Sequence, residues 1–216
     1  MATITAIEPQ KRDPNRVNIH LDGNYAFGLT RITAAWLKVG QELSEDKIVS
    51  LQRDDDRERA YQQAMLFQSY RARSESEIRQ NLNKHGFLMD VIEQTLARLR
   101  ENKLVNDQQF AGAWVENRST FRPRSRRALQ MELRQKGLSD ETAQSALEGL
   151  DEETLAYEAG LKKARRLQSE EWSGFRKKLS EHLARRGFPY SVIASVVSRI
   201  WKETHAEGQN DHEENI

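Results

Sequence analysis

The stretch that decides the fold is residues 126–138, RRALQMELRQKGL. Leu129 and Leu133 are four residues apart, which is typical of the buried stripe of an amphipathic helix. Gly137 follows four residues later, at the place where a left-handed glycine commonly closes a helix. Leu138 then offers an apolar side chain that can pack beneath the turn. The stretch therefore predicts a helix, a glycine turn and the start of a second helix.

The same pattern occurs three times, because Gly86 and Gly187 match Gly137 at spacings of 51 and 50 residues. In all three blocks, apolar residues stand eight and four residues before the glycine and one, six, ten and thirteen residues after it: Ile78, Leu82, Phe87, Ile92, Leu96 and Leu99; Leu129, Leu133, Leu138, Ala143, Leu147 and Leu150; Leu179, Leu183, Phe188, Ile193, Val197 and Ile200. An aromatic residue 25–30 positions upstream of each glycine indicates a third helix. Three-helix units this small should pack against their neighbours.

The N-terminal residues favour strands instead. Runs rich in β-forming residues occupy 4–7, 17–21 and 25–29, and turn-forming residues separate them. They predict a small antiparallel meander, followed by a helix over 30–38. We therefore expect a mainly α protein whose tandem three-helix repeats form an elongated, curved array, divided as follows: 1–43, β meander plus short helix; 44–100, 101–151 and 152–203, helical repeats; 204–216, disordered acidic tail.

Several classes of function find no support in the sequence. Cysteine is absent, and the five histidines show no metal-binding spacing. No phosphate-binding loop or nucleophile elbow is present. We interpret the acidic triplets 54–56 and 151–153 as solvated helix starts, and we predict no catalytic, cofactor or metal site. Without a signal peptide or a long apolar run, we expect a cytoplasmic protein with no membrane partner.

Charge is distributed in blocks. Residues 116–136 carry seven bases and two acids, 137–161 carry seven acids and no base, and 162–186 carry nine bases and three acids. The net charge of the whole chain is only +1. Blocks of alternating sign on a repeat scaffold predict a striped surface.

Two basic clusters are candidate contact surfaces for phosphate or an acidic partner. The first surrounds Pro123 on the linker into the second repeat's middle helix, where four arginines in six residues exceed what solubility requires. For the second cluster, in the third repeat, contact and plain solvation stay open. The candidates are Arg118, Arg122, Arg124, Arg126, Arg127, Lys136, Lys162, Lys163, Arg165, Arg166, Arg176, Lys177, Lys178, Arg185 and Arg186. We expect the four tryptophans, including Trp36, to lie in cores or interfaces.

The chain resembles the RecX family, the modulators of RecA recombinase. The similarity is carried by the tandem repeats, by RARSESEI at 71–78, by LRENKLVNDQQF at 99–110 and by the stretch at 126–138. It covers roughly 57–201, and a β-rich extension in some members is similar to 1–40. The resemblance implies a regulator of homologous recombination, DNA repair and the SOS response, which binds RecA filaments on DNA and inhibits their extension, ATPase and co-protease activity.

We expect a monomeric, non-enzymatic protein whose contact with single- or double-stranded DNA alone is weak and non-specific, since few phosphates are met at once. Two other functions stay open. Three-helix units also occur in helix-turn-helix proteins that act on DNA directly, but the third helix of the second repeat, 139–150, carries three acids and no base. A passive helical scaffold would show no salt-sensitive binding to DNA or to RecA filaments.

Overall fold

The computed structural model describes residues 1–206, which divide into two compact units between Asn106 and Asp107. The first unit contains an antiparallel sheet and one three-helix repeat, and the second contains two further repeats. The described chain is thus mainly helical with a small N-terminal sheet, as predicted. The first three residues of the predicted acidic tail belong to the last helix, and 207–216 lie outside the described residues.

The sheet has four strands: β1 Ala2–Pro9, β2 Arg16–Leu21, β3 Asn24–Thr30 and β4 Glu42–Leu43, in the order β3-β2-β1-β4. Asp22 and Gly23 both have positive φ, which gives the β2–β3 hairpin a turn that matches the twist of its strands. The short edge strand β4 was not predicted from sequence. Helix α1, Arg31–Ala34, is also shorter than the predicted helix over 30–38.

A long helix, α2, Glu45–Ser69, joins the sheet to the first repeat. Ser44 caps its start, so Asp55 lies in mid-helix and only 3% of its surface is exposed. Its carboxylate accepts hydrogen bonds from the Thr30 backbone N–H and from Arg16 Nη2, the latter at 3.1 Å. The interpretation of Asp55 as part of a solvated helix start was therefore wrong, because this carboxylate ties the sheet to α2.

The first repeat combines the second half of α2 with α3, Glu75–Lys84, and α4, Met89–Glu101. Ser74 and Glu77 form a capping box at the start of α3. The second repeat contains α5, Asp107–Phe121, α6, Arg126–Gln135, and α7, Asp140–Ala146. The third contains α8, Glu152–Ala164, α9, Trp172–Ala184, and α10, Tyr190–Ala206.

The three repeats are built alike around the predicted leucines and glycines. Leu82, Leu133 and Leu183 are each fully buried. In every repeat the carbonyl of this leucine accepts the backbone N–H of the residue after the glycine, at 3.2–3.3 Å. The three glycines have φ between 78° and 88°, so each closes its helix in the left-handed conformation. The three-helix repeats predicted from the spacing are confirmed.

The tryptophans do not share one environment. Trp114 packs against the core of the second repeat and Trp201 against that of the third. Trp172 lies at the edge of the third repeat, with its ring centroid 5.3 Å from that of Trp201. Trp36 is 89% exposed. A core position for Trp36 was wrong, because α1 ends at Ala34 and this side chain lies in the turn that follows; an interface position for it stays a prediction.

Candidate functional site

The second unit brings parts of both basic clusters together. The linker between α5 and α6 lies beside the C-terminal ends of α8 and α9, and clefts of about 340 and 200 Å³ open between them. These clefts share His182 and Arg186, and a third cleft of about 550 Å³ shares Lys162 with the second. We call the three clefts together the basic groove. Its cations are Arg122, Arg124, Lys162, Lys163, Arg165, Arg166, Arg185 and Arg186.

The groove is strongly positive. Among the described residues that line it, the one carboxylate is that of Glu158, in the third cleft. Like charges concentrated in a concave surface raise the local potential and attract anions. The groove is therefore suited to an extended polyanion or to an acidic protein surface.

Arg186 fixes the linker that forms one wall of the groove. Its Nη1 donates to the Pro123 carbonyl at 2.9 Å, and its own carbonyl accepts the Ser125 backbone N–H at 3.2 Å. Ser125 is fully buried and caps α6 by accepting the Ala128 N–H. Gly187 packs so closely that a Cβ at this position would lie 2.7 Å from Ser125 Oγ. Arg186 of the third repeat thus positions the arginine-rich linker of the second repeat.

His182 supports Arg186 from the floor of the groove. Its Nε2 lies 3.1 Å from Arg186 Nε, which donates to it. Burial, followed by the charges of Arg186, Lys163 and Arg185, lowers the pKa of His182, and a hydrogen bond to the Ala159 backbone only partly opposes that shift. The imidazole is therefore neutral near pH 7 and free to accept.

A neighbouring network engages other predicted contact residues. The Glu132 carboxylate accepts from Arg118 at 2.7 Å, from Trp114 Nε1 at 2.9 Å, and pairs with Arg124 at 3.2 Å. Arg118 and Lys136 also lie 4.6 and 5.0 Å from the centre of the Trp114 ring. Arg124 is consequently held at the groove by Glu132, whereas Arg118 and Lys136 lie outside it.

The remaining predicted contact residues lie away from the groove. Arg126 donates to the Leu150 carbonyl at 3.2 Å, and its backbone N–H donates to Glu152, so this residue links the second and third repeats. Lys178 is paired with Glu170. The other three are exposed and line none of the clefts described: Arg127, Arg176 and Lys177.

Two groove residues were missed by the sequence reasoning. His182 offered only its i,i+4 spacing to Arg186 as a signal. Phe121 directly precedes the arginine-rich linker, and nothing in its sequence position indicated a role. In the structure Phe121 ends α5, is 71% exposed and lines the second cleft.

The third helix of each of these two repeats presents little free positive charge. The first turn of α7 contains Asp140 and Glu141. In α10, Arg199 pairs with Glu203 at 2.9 Å. Neither helix resembles a recognition helix that approaches phosphates.

Comparison with known proteins gives the family. Four family models match the chain in order: the RecX N-terminal domain at residues 2–44 and the first, second and third RecX three-helix domains at 60–99, 106–147 and 151–197. Regulatory protein RecX of Bacillus subtilis strain 168 is 32% identical over an alignment of 219 positions, which covers 98% of this chain and 82% of that relative. The chain belongs to the RecX family.

Further comparisons agree with this assignment. Regulatory protein RecX of Bacillus velezensis is 33% identical over an alignment of 217 positions, which covers 97% of this chain and 81% of the relative. A crystal structure of regulatory protein RecX matches with a TM-score of 0.69 at 29% identity, over 91% of this chain and 98% of that one. None of the helices within residues 1–206 combines the length and apolar character needed to cross a bilayer.

Proposed function

We propose that this RecX-family chain binds RecA recombinase filaments on DNA and inhibits their extension, ATPase and co-protease activity. Family membership and the regulatory role named for its relatives support the proposal. The basic groove of the second unit is the single structural observation that carries it, because it concentrates eight cations beside one carboxylate.

The groove suits a partner that combines protein with DNA. A filament on DNA displays phosphates and acidic side chains along a continuous surface, and Lys and Arg bind both. Affinity for DNA alone should be weak at about 0.15 M salt, since a short groove meets few phosphates at once. In this proposal, inhibition follows from occupancy of the filament rather than from a reaction.

Direct reading of DNA sequence by the three-helix repeats is less well supported. A recognition helix must enter the major groove between two rows of phosphates. The acids that open α7 would be repelled there, and Arg199 of α10 is already paired. The cations instead lie on the linker and at the ends of α8 and α9, where backbone or partner contact is the natural use.

The test is the RecA ATPase on single-stranded DNA, titrated with this protein in three forms. The wild type should inhibit, and Arg122→Glu/Arg185→Glu should lose most of that inhibition because both residues line the groove. The matched control, Arg176→Glu/Lys177→Glu, replaces two exposed cations outside the groove and should inhibit like the wild type. Arg126 is left unchanged because its side chain donates to the Leu150 carbonyl near the end of the second repeat.

Two outcomes would contradict the proposal. If the wild type does not inhibit, the regulatory target is not the RecA filament. If the groove variant and the control inhibit equally, the groove is not the contact surface. Circular dichroism should show the same helicity for all three forms, since none of the replaced side chains is buried.

A further inference from the structure

We propose that the basic groove binds a single strand of nucleic acid and that the ring of Phe121 stacks on one of its bases. The inference deepens the proposed function, on which it rests for the presence of DNA at this surface. It nevertheless concerns a property of the chain alone, so that it can fail or hold independently of any effect on RecA.

The position of Phe121 is the first argument. A single exposed apolar residue on a protein surface is ordinary. Phe121, however, lines the second cleft together with Pro123, Lys162, Lys163 and Arg166. Its ring is 71% exposed, and four of the seven other residues that line the cleft are Lys or Arg, so a flat apolar face is accessible inside a positive groove.

The arrangement of charge on either side of Phe121 is the second argument. Toward the first cleft lie Arg122 and Arg185, and toward the third lies Arg165. A strand that crosses the groove would therefore meet cations before and after the aromatic ring. A positive track interrupted by an aromatic face is the usual design of proteins that bind single strands without sequence preference, since every base has a stacking face.

The rigidity of the wall is the third argument. The linker that follows Phe121 is held by the two hydrogen bonds between Arg186 and residues 123 and 125. Glu132 holds Arg124 from the other side. Groups that are already in place lose less conformational entropy when a ligand binds, so this fixed wall should bind a strand more tightly than mobile side chains would.

An acidic peptide is the competing occupant, and the observations favour the strand. Carboxylates would satisfy the cations, but they offer nothing for the ring of Phe121. The partly buried side chain of Leu161 in the third cleft adds apolar surface that suits a base better than a carboxylate. The choice is decided by whether binding depends on bases as well as charge.

The experiment measures fluorescence anisotropy of the full chain, without RecA, with three labelled probes: a thymidine 12-mer, an abasic 12-mer of the same charge, and a poly-glutamate peptide. The wild type should bind the thymidine strand at least about fivefold more tightly than the abasic strand, as expected for one stacked base. Phe121→Leu should abolish that difference while leaving the salt dependence unchanged. Arg122→Glu/Arg185→Glu should weaken both strands and reduce the salt slope.

Tyr190→Leu is the matched control, because Tyr190 is 74% exposed in the same unit but lines none of the three clefts. It should keep the preference for the thymidine strand. Equal binding of the two strands by the wild type, or poly-glutamate binding as tightly as the thymidine strand, would overturn the inference. If that result accompanies normal inhibition of the RecA ATPase, the proposed function stands and only the stacked strand is rejected.

Discussion

Replacing Gly187 with alanine should destabilise the second unit more than the same change at Gly149. Both glycines have positive φ, 88° and 71°, so alanine pays a left-handed penalty of about 1–2 kcal/mol at either position. Alanine also restricts the backbone of the unfolded chain, which offsets about 0.4–1 kcal/mol of this penalty at both positions. Gly149 has open space where a Cβ would stand, and its net loss should be about 1 kcal/mol.

Gly187 differs because its surroundings are full. A Cβ there would lie 2.7 Å from Ser125 Oγ and 3.1 Å from the Ala128 Cβ. Ser125 is buried and is held by its cap and by Arg186, so it cannot move away without breaking hydrogen bonds. Overpacking of this kind adds about 1–3 kcal/mol. The expected total is therefore about 2–4 kcal/mol for Gly187→Ala.

Urea unfolding followed by tryptophan fluorescence measures this difference, since Trp114, Trp172 and Trp201 all belong to the second unit. The midpoint of Gly187→Ala should lie clearly below that of Gly149→Ala at an unchanged slope. Equal midpoints would refute the close contact between the α9–α10 turn and the α6 cap. Because that contact positions the linker, Gly187→Ala should also bind the thymidine strand less tightly than Gly149→Ala does.

Two further predictions concern the titratable side chains of Asp55 and His182. Asp55→Ala should destabilise the first unit by about 3 kcal/mol, because it leaves the Thr30 N–H without its acceptor and the Arg16 guanidinium without its counter-charge, with the Gly28 carbonyl still accepting from Arg16. A change below about 1 kcal/mol in urea unfolding monitored by circular dichroism would contradict this. The pKa of His182 is lowered in the folded protein, so the unfolded chain takes up a proton first as the pH falls below about 6.5. The stability that neutral His182 contributes to the folded state is therefore complete above that pH and is lost as the pH falls toward the lower pKa of the folded protein. Unfolding midpoints of the second unit measured between pH 8 and pH 5 should therefore fall less in His182→Gln than in the wild type, and parallel curves would contradict this.

The repeats could be predicted from sequence because their signals are local. The leucines four residues apart and the glycine that follows them describe one helix and its end, and the same offsets return in each block. The hydrogen bond from the residue after the glycine to the leucine carbonyl spans only five residues. The N-terminal hairpins were predictable for the same reason, through the Asp22-Gly23 turn.

The features that were missed depend on partners distant in sequence. In the sequence Asp55 is one of three consecutive acids, and nothing indicates that its partner is Arg16, 39 residues away. The groove exists because Arg186 reaches Pro123 across 63 residues of chain. The fifteen candidate cations were selected by clustering along the sequence, and helix geometry then placed eight of them at the groove.

The attachment of the arginine-rich linker to Arg186 limits how this architecture can be shortened. Tandem repeats are usually regarded as modules whose number can change while each remaining one keeps its own surface. Here the second repeat contributes Arg122, Arg124 and the Glu132 that pairs with Arg124, but Arg186, which anchors the backbone of the linker, belongs to the third. A version ending after the second repeat would keep those arginines in its sequence and lose the wall that they form, so the two C-terminal repeats constitute one indivisible binding element.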